Sequence, residues 1–305
     1  AQVGPTDATV LITGESGTGK ELVAAEVHRL SRRADQSFIR VNCAAIPENL
    51  FESEFFGHRR GAFTSAVSDR SGRFAEAEGG TLALDEIGTL KPAIQAKLLR
   101  VLETGEYQIV GESRLRVADV RVVAITNEDL ATRVREGLFR KDLYYRLNVF
   151  PIEVPPLRSR KDDIPPLAEC FVARARGGKA AAPEGAGAWI SKAAAEVLCA
   201  YDWPGNIREL RNVMERACIL SPQGPIDAAV LKTILASPAL LETAAQADLH
   251  IRRRVDALER ELIAEAIGRS SGRKREAAAL LGIDPKNFGY YLRKHGVLPG
   301  EDMES

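Results

Sequence analysis

Apolar and polar positions alternate in blocks through about residue 155. Val10, Leu11 and Ile12 sit in a short apolar run over 10–13 that predicts a buried strand, and 21–30 has helical spacing. Runs over 38–42, 81–85 and 120–126 predict further strands, with a helix over 91–102 among them. This order predicts an α/β fold, a parallel sheet covered by helices, which Pro155 and Pro156 bring to an end. From 164 to 235 the pattern is helical, apart from a loop rich in Gly, Ala and Pro over 177–187. Ser191 is the expected N-cap of a helix over 192–199, and 207–220 predicts another. Pro238 and several small residues mark a linker, and from Ile251 the apolar positions Val255, Leu258, Leu262 and Ala266 again recur at helical spacing.

Charge sharpens this picture. The 305-residue chain is neutral overall, so its total charge names no partner. Its last part differs: residues 251–298 hold eleven Lys and Arg against six Asp and Glu. A basic tail module on an acidic body is the asymmetry of a nucleic-acid binder. Cys43, Cys170, Cys199 and Cys218 are widely spaced, with no CxxC pair, and the four histidines form no HExxH. The expectation is therefore neither a metal cluster nor a disulfide framework, and a reducing cytoplasm. No apolar run reaches 18 residues, so no membrane partner is expected.

Candidate chemistry sits at two strand ends. Gly14, Glu15, Ser16, Gly17, Thr18, Gly19 and Lys20 follow the first strand and open the first helix, the context of a phosphate-binding P-loop. Glycines let backbone N–H groups face phosphate oxygens, the helix N-terminus adds its positive end, and Lys20 would neutralise the β- and γ-phosphates. Glu21 stands where such loops carry a Ser or Thr magnesium ligand. The strand over 81–85 ends in Asp85 and Glu86. Asp85 would hold magnesium, directly or through water, and Glu86 would polarise the attacking water. A chance Gly-rich turn and an ordinary strand end are the plainer alternatives, and the pairing of the two motifs argues against both.

Longer motifs follow in order: GESGTGKE over 14–21, NCAA over 42–45, GAFTSA over 61–66, GGTLALDEIG over 79–88, Thr126-Asn127, FRKDLYYRL over 139–147 and WPGNIREL over 203–210. In these the chain resembles the central and C-terminal domains of sigma-54-dependent bacterial enhancer-binding proteins, the nitrogen regulatory protein C family. The resemblance implies a AAA+ P-loop ATPase with a helical lid subdomain, and a small all-α helix-turn-helix domain. It divides the chain at 1–160, 161–236, a linker over 237–250, and 251–298. It implies ATP and magnesium as cofactors. It also gives roles to single residues. Asn42 would hold Glu86 until the nucleotide state changes, and Asn127 would read the γ-phosphate. Arg140 and Arg146 would be arginine fingers acting on a neighbour's ATP, and Arg208 the lid's sensor. Fingers acting between subunits imply a homo-oligomer, from dimer to hexameric ring. The plain reading of Arg140 and Arg146 is surface charge at a helix end. The family also carries more chain before the first strand than the nine residues ahead of Val10 here. A fragment with a weakened adenine pocket, and without a signal domain, is expected.

The loop over 61–66 resembles the GAFTGA loop with which the family touches sigma-54 RNA polymerase. Gly61, Phe63 and Thr64 are the expected contacts, and Ser65 replaces the second glycine. If that position needs a positive φ, Ser65 costs roughly 1 kcal/mol or more. Two readings stay open: an ATP-driven activator of sigma-54 polymerase, and a DNA-binding regulator whose AAA+ domain serves oligomerisation. A remodeller of some other substrate is disfavoured by the C-terminal module. There, 275–281 predicts a helix, Gly282-Ile283 a turn, and 284–295 a second helix with Asp284 as N-cap and Pro285 at its first position. This resembles the factor-for-inversion-stimulation type of helix-turn-helix, which would bind an upstream, enhancer-like DNA site. Lys286 and Asn287 would meet base edges, with Tyr290 and Arg293 farther along, while Arg273, Lys274 and Lys294 would meet phosphates. A basic helical hairpin that merely packs is the plainer alternative. Gly289 is unusual inside a reading helix. The helix over 251–267 would pair two modules on two-fold related half-sites.

Overall fold

The computed structural model describes residues 3–63, 66–177, 189–236, and 259–294 apart from 261, 264, 271 and 272. Thr64 and Ser65, the 178–187 part of the Gly-rich loop, the linker and most of the 251–267 helix lie outside the described residues, as do the side chains of Lys286 and Arg293. The chain divides into two compact units, Ala1–Ala236 and Ser237–Ser305. Among the described residues no helix is long and apolar enough to cross a membrane.

The first unit is built on a five-stranded parallel sheet. Its strands are β1 (Val10–Thr13), β2 (Phe38–Asn42), β5 (Thr81–Asp85), β8 (Arg121–Thr126) and β9 (Phe150–Glu153), in the order β2-β5-β8-β1-β9. Two short pairs complete the strands: β3 (Gly57–His58) with β4 (Arg70–Ser71), and β6 (Glu106–Gln108) with β7 (Leu115–Val117). Register explains the burial. Val10 pairs with Val123, Leu11 with Ala124 and Ile12 with Ile125, so successive side chains enter opposite faces. Leu11, Leu82, Leu84, Val122 and Ala124 join one core, while Val10, Ile12, Ala83, Val123 and Ile125 join the other. With both faces covered, the central strands read as continuous apolar runs, and that is why the sequence predicts them.

Helix α1 (Lys20–Arg29) covers one face through Ala24 and Val27. The other face carries α2 (Phe51–Phe56), α3 (Arg73–Glu76), α4 (Pro92–Thr104), α5 (Leu130–Arg135) and α6 (Lys141–Leu147). An aromatic cluster of Phe51, Phe55, Phe56, Phe74 and Tyr107 fills the space beneath them. Two features differ from the sequence pattern. Strand β9 contains Pro151, which removes a ladder N–H and hides the strand from a reading by propensity; it sits at the sheet edge, where that loss is tolerated. Arg121 opens the central strand β8 yet is 1% exposed. Its guanidinium donates to the carbonyls of Gly4 and Val3 at 2.7 and 2.9 Å, tying the start of the chain to the sheet.

Helices α7 (Ile164–Ala175), α8 (Lys192–Ala200), α9 (Asn206–Leu220) and α10 (Ala228–Leu235) form the lid. Ser191 caps α8 by accepting from Ala194 N–H at 3.2 Å, as its sequence predicts. Trp203 is the largest fully buried side chain, and its indole N–H donates to the Leu198 carbonyl at 2.8 Å.

In the second unit, residues of 259–269 that are described are helical, followed by α11 (Lys274–Leu280) and α12 (Pro285–Lys294). Ile263, Ala266, Ala277, Ala278, Phe288 and Leu292 close its core. Gly282 takes φ 65°, and its N–H and that of Ile283 return to the carbonyls of Ala279 and Ala278. This ends α11 and turns the chain into α12.

Replacing Trp203 by Ala removes both the volume at the lid centre and the bond to Leu198. A loss of about 3–5 kcal/mol is expected, read as a lowered midpoint in denaturant unfolding of the full chain.

Candidate active site between sheet and lid

The parallel sheet delivers its strand ends to one edge, where ligands of such sheets bind. Strand β1 runs directly into the loop over 14–19, and Gly19, at φ 96°, turns that loop into α1. Lys20 is 9% exposed, and its ammonium donates to the carbonyls of Gly14 and Glu15 at 2.8 and 2.9 Å. Burial pulls this ammonium below its ordinary range, while Asp85 and Glu86 pull the other way.

Two strands away, β5 ends on Asp85, whose carboxylate accepts the N–H of Glu86 at 2.9 Å. Burial raises both carboxyls above their ordinary range, and for Glu86 the neighbouring Asp85 charge adds to it. Glu86 stands at φ 55°, left-handed backbone that a residue with a Cβ adopts at a cost of roughly 1–2 kcal/mol. Strain next to half-buried paired carboxylates is a pattern of functional sites.

From the lid, Arg208 donates to the Ser16 hydroxyl at 2.9 Å. Ser16, Gly17, Gly19, Lys20, Glu21, Asp85, Glu86 and Arg208 together line one cleft of about 480 Å³. Sequence motifs nearly two hundred residues apart thus meet in a single space. Leu167, Phe171 and Arg174 of α7 and Arg211 of α9 line it as well. No motif marks those four, because their role comes only from the way the lid folds over the loop.

Among the described residues, no three His, Cys, Asp or Glu side chains gather into a metal cage. The donor set still fits magnesium, which is usually held by one or two carboxylates together with phosphate oxygens and water. Asp85 would supply that carboxylate. Glu21 is turned to Arg40 at 3.2 Å.

Four predicted site residues lie outside this cleft; for Arg140 and Arg146, expected to act on a neighbour's ATP, that is no departure. The side-chain oxygen of Asn42 accepts the N–H groups of Ala44 and Ala45 at 2.9 and 3.3 Å, capping the turn Cys43–Ala45. That use of its oxygen leaves the Nδ2 donor for a carboxylate, but Asn42 makes no hydrogen bond to Glu86 among the described residues. Asn127 lines a separate hollow of about 430 Å³ with Gly14 and Glu15. Arg140 pairs with Asp142 at 2.7 Å, and Arg146 donates to the Leu102 carbonyl near the end of α4 at 2.7 and 2.9 Å. Neither arginine lines the cleft of its own chain.

In the predicted contact loop, Gly61 takes φ 80°, and its N–H donates to the Ala66 carbonyl at 2.9 Å. Phe63 is half-buried, its ring edge-on to His58 at 4.9 Å. In the second unit, Asn287, Tyr290 and Lys294 are exposed along one side of α12, with Tyr290 at 61%. Arg273 and Lys274 are exposed at the start of α11, where Arg273 pairs with Glu276 at 2.6 Å. Lys294 pairs with Glu259 at 2.7 Å, so this ion pair competes with its predicted phosphate contact.

Comparison with known proteins bears on the whole arrangement. Residues 1–153 match the sigma-54 interaction domain, 158–247 the AAA+ ATPase lid domain, and 254–295 the Fis family of bacterial regulatory proteins. The chain is 46% identical over 290 residues to the Nif-specific regulatory protein of Azotobacter vinelandii, covering 94% of this chain and 54% of that one. It is 47% identical over 288 residues to the transcriptional regulatory protein ZraR of Escherichia coli K12, covering 94% and 64%. NtrX of Brucella abortus, solved in complex with ADP, aligns with a TM-score of 0.69 at 34% identity, covering 97% of this chain and 65% of that one. The chain therefore spans between about half and two thirds of the length of these relatives.

Glu86→Gly and Glu86→Ala remove the same carboxylate, but only glycine relieves the left-handed backbone. The glycine variant is expected to be more stable by about 1 kcal/mol, measured by urea unfolding of the two proteins side by side.

Proposed function

The chain belongs to the sigma-54-dependent family of transcription activators, and from this we propose that it binds upstream DNA and uses ATP hydrolysis to remodel RNA polymerase held closed by sigma-54. The observation that carries the proposal is the convergence of Lys20, Asp85, Glu86 and Arg208 on one cleft. Lys20 and the loop N–H groups would hold the phosphates, and Asp85 would hold a magnesium ion, which would neutralise charge developing on them. Glu86 is the base that orients and deprotonates the attacking water. Burial and the Asp85 charge raise its carboxyl, making it a stronger base than an ordinary carboxylate. Arg208 brings positive charge from the lid.

Arg140 and Arg146, turned away from their own cleft, suit action on the nucleotide of an adjoining subunit. An arginine placed on the transferring phosphoryl group contributes ~10³-fold or more in rate. The working form is then a ring of identical chains, and the site of action is the bacterial cytoplasm. The C-terminal module would dock α12 in the major groove, where Asn287 and Tyr290 line its exposed side.

A second reading rests on Ser65 alone: a DNA-binding regulator whose AAA+ domain assembles the protein without activating sigma-54 polymerase. Gly61, four residues earlier, adopts the positive φ that glycine allows cheaply. A serine required to do the same at 65 would hinder the loop while leaving the ATP cleft untouched.

Two measurements test these readings. Lys20→Ala and Asp85→Ala should each abolish ATP turnover, by at least about 100-fold, while DNA affinity in a gel-shift titration stays unchanged. Turnover at the unsubstituted rate in either variant would remove the proposed site. Open-complex formation with sigma-54 polymerase and ATP should proceed with Ser65 and rise in Ser65→Gly. Activity confined to the glycine variant would establish the second reading.

A further inference from the structure

The turn Trp203-Pro204-Gly205-Asn206 has no role in the chemistry so far, beyond introducing Arg208. Its backbone is unusual. Trp203 and Asn206 both take φ 52°, and both are fully buried. Asn206 spends both ends of its side chain. Its Oδ1 accepts the N–H of Leu157 at 2.8 Å, and its Nδ2 donates to the Ser16 carbonyl and the Glu15 carboxylate, each at 3.1 Å. The acceptor end is fixed by the Leu157 N–H, so only an amide meets all three partners.

The neighbouring bonds follow the same direction. Ile207 N–H donates to the Gly17 carbonyl at 3.0 Å. Arg160, in the segment leading into the lid, donates to the Thr18 carbonyl at 2.9 Å. Glu15 is gripped from the other side by both terminal nitrogens of Arg158 at 2.5 and 2.8 Å. These bonds from Arg158 and Asn206 hold its carboxyl down at about 2. Gly17 lets the two backbones touch, since a Cβ there would stand 2.4 Å from the Gly205 carbonyl oxygen.

Three consecutive loop carbonyls, those of Ser16, Gly17 and Thr18, are therefore held by the lid or the segment leading to it. A trans peptide is planar, with its C=O and N–H opposed. Turning those three carbonyls toward the lid turns the N–H groups of Gly17, Thr18 and Gly19 the opposite way. Those three N–H groups donate to no protein acceptor among the described residues. We propose that Asn206, with Arg160 and the Glu15–Arg158 pair, is a brace by which the lid aims the loop's N–H donors at phosphate, making Asn206 a positioning residue for nucleotide binding. The proposal rests on the nucleotide reading of the cleft and deepens it. The lid acts on the bound nucleotide through the loop backbone as well as through Arg208. Because β-phosphate is present before and after hydrolysis, the brace serves ground-state binding of ADP and ATP alike.

The test uses the full chain, with ADP affinity measured by calorimetry and ATP turnover by phosphate release. Asn206→Asp keeps size, tolerance of positive φ and the acceptor for Leu157. It removes the donor to Ser16 and sets a second carboxylate against Glu15. ADP affinity should fall about tenfold and KM for ATP should rise alike, with kcat kept within about twofold. Unchanged ADP affinity, or a loss confined to kcat, would overturn the brace. If the melting midpoint drops, Arg160→Met decides, since it frees the Thr18 carbonyl without touching the buried turn. Weaker ADP binding there supports the brace and equal binding overturns it. Failure of the unsubstituted chain to bind ADP would instead defeat the nucleotide reading itself.

Discussion

A loop of backbone can present its N–H groups to an anion only if the carbonyls on the same peptides have somewhere else to go. That constraint organises this molecule. Every carbonyl from Gly14 to Gly19 has a partner: the Lys20 ammonium for the first two, Asn206, Ile207 and Arg160 for the next three, and the first turn of α1 for the last. The sheet sets where the loop begins, α1 sets where it ends, and the lid orients the stretch between. A rigid cradle of this kind costs no reorganisation when a charged ligand arrives, and preorganised dipoles owe their strength to that.

The acidic side of the cleft is under tension that the basic side relieves. Asp85 and Glu86 are adjacent and half-buried; burial raises both carboxyls, the Asp85 charge raises Glu86 further, and the Glu21 charge raises Asp85. Lys20 offsets part of this from across the cleft, at the expense of its own burial. A divalent cation on Asp85 would offset more. The strained backbone of Glu86 has the same logic, because it places the carboxylate at the cleft rather than in the core beside Ile87, which is fully buried.

The C-terminal unit follows a simpler scheme. Phe288 and Leu292 of α12 face inward to Ile263, Ala266, Ala277 and Ala278, which leaves Asn287, Tyr290 and Lys294 on the outside. The small alanines of α11 let the helices approach closely. Gly289 has open space where a Cβ would stand, so packing within the unit does not require it.

Much of this was legible in the sequence. The central strands were, because burial on both faces favours apolar residues, and so was the meeting of the loop over 14–20 with the acids at 85 and 86 in one cleft, because a Gly-rich turn after one strand and paired acids at the end of another stand out in the sequence. Ser191 announced its cap, and Pro285 its helix start. Strand β9 was hidden by Pro151, and the burial of Arg121 by its charge. The position of Asn42 against Ala44 and Ala45, the turning of Arg140 to Asp142 and of Arg146 to Leu102, and the bracing of the loop by Asn206 were decided by the tertiary structure alone. The reason is physical. Local sequence fixes what a residue can offer, an amide or a guanidinium or a carboxylate. Which partner it meets depends on elements up to 192 residues away in the chain, brought together by packing that carries no local signature.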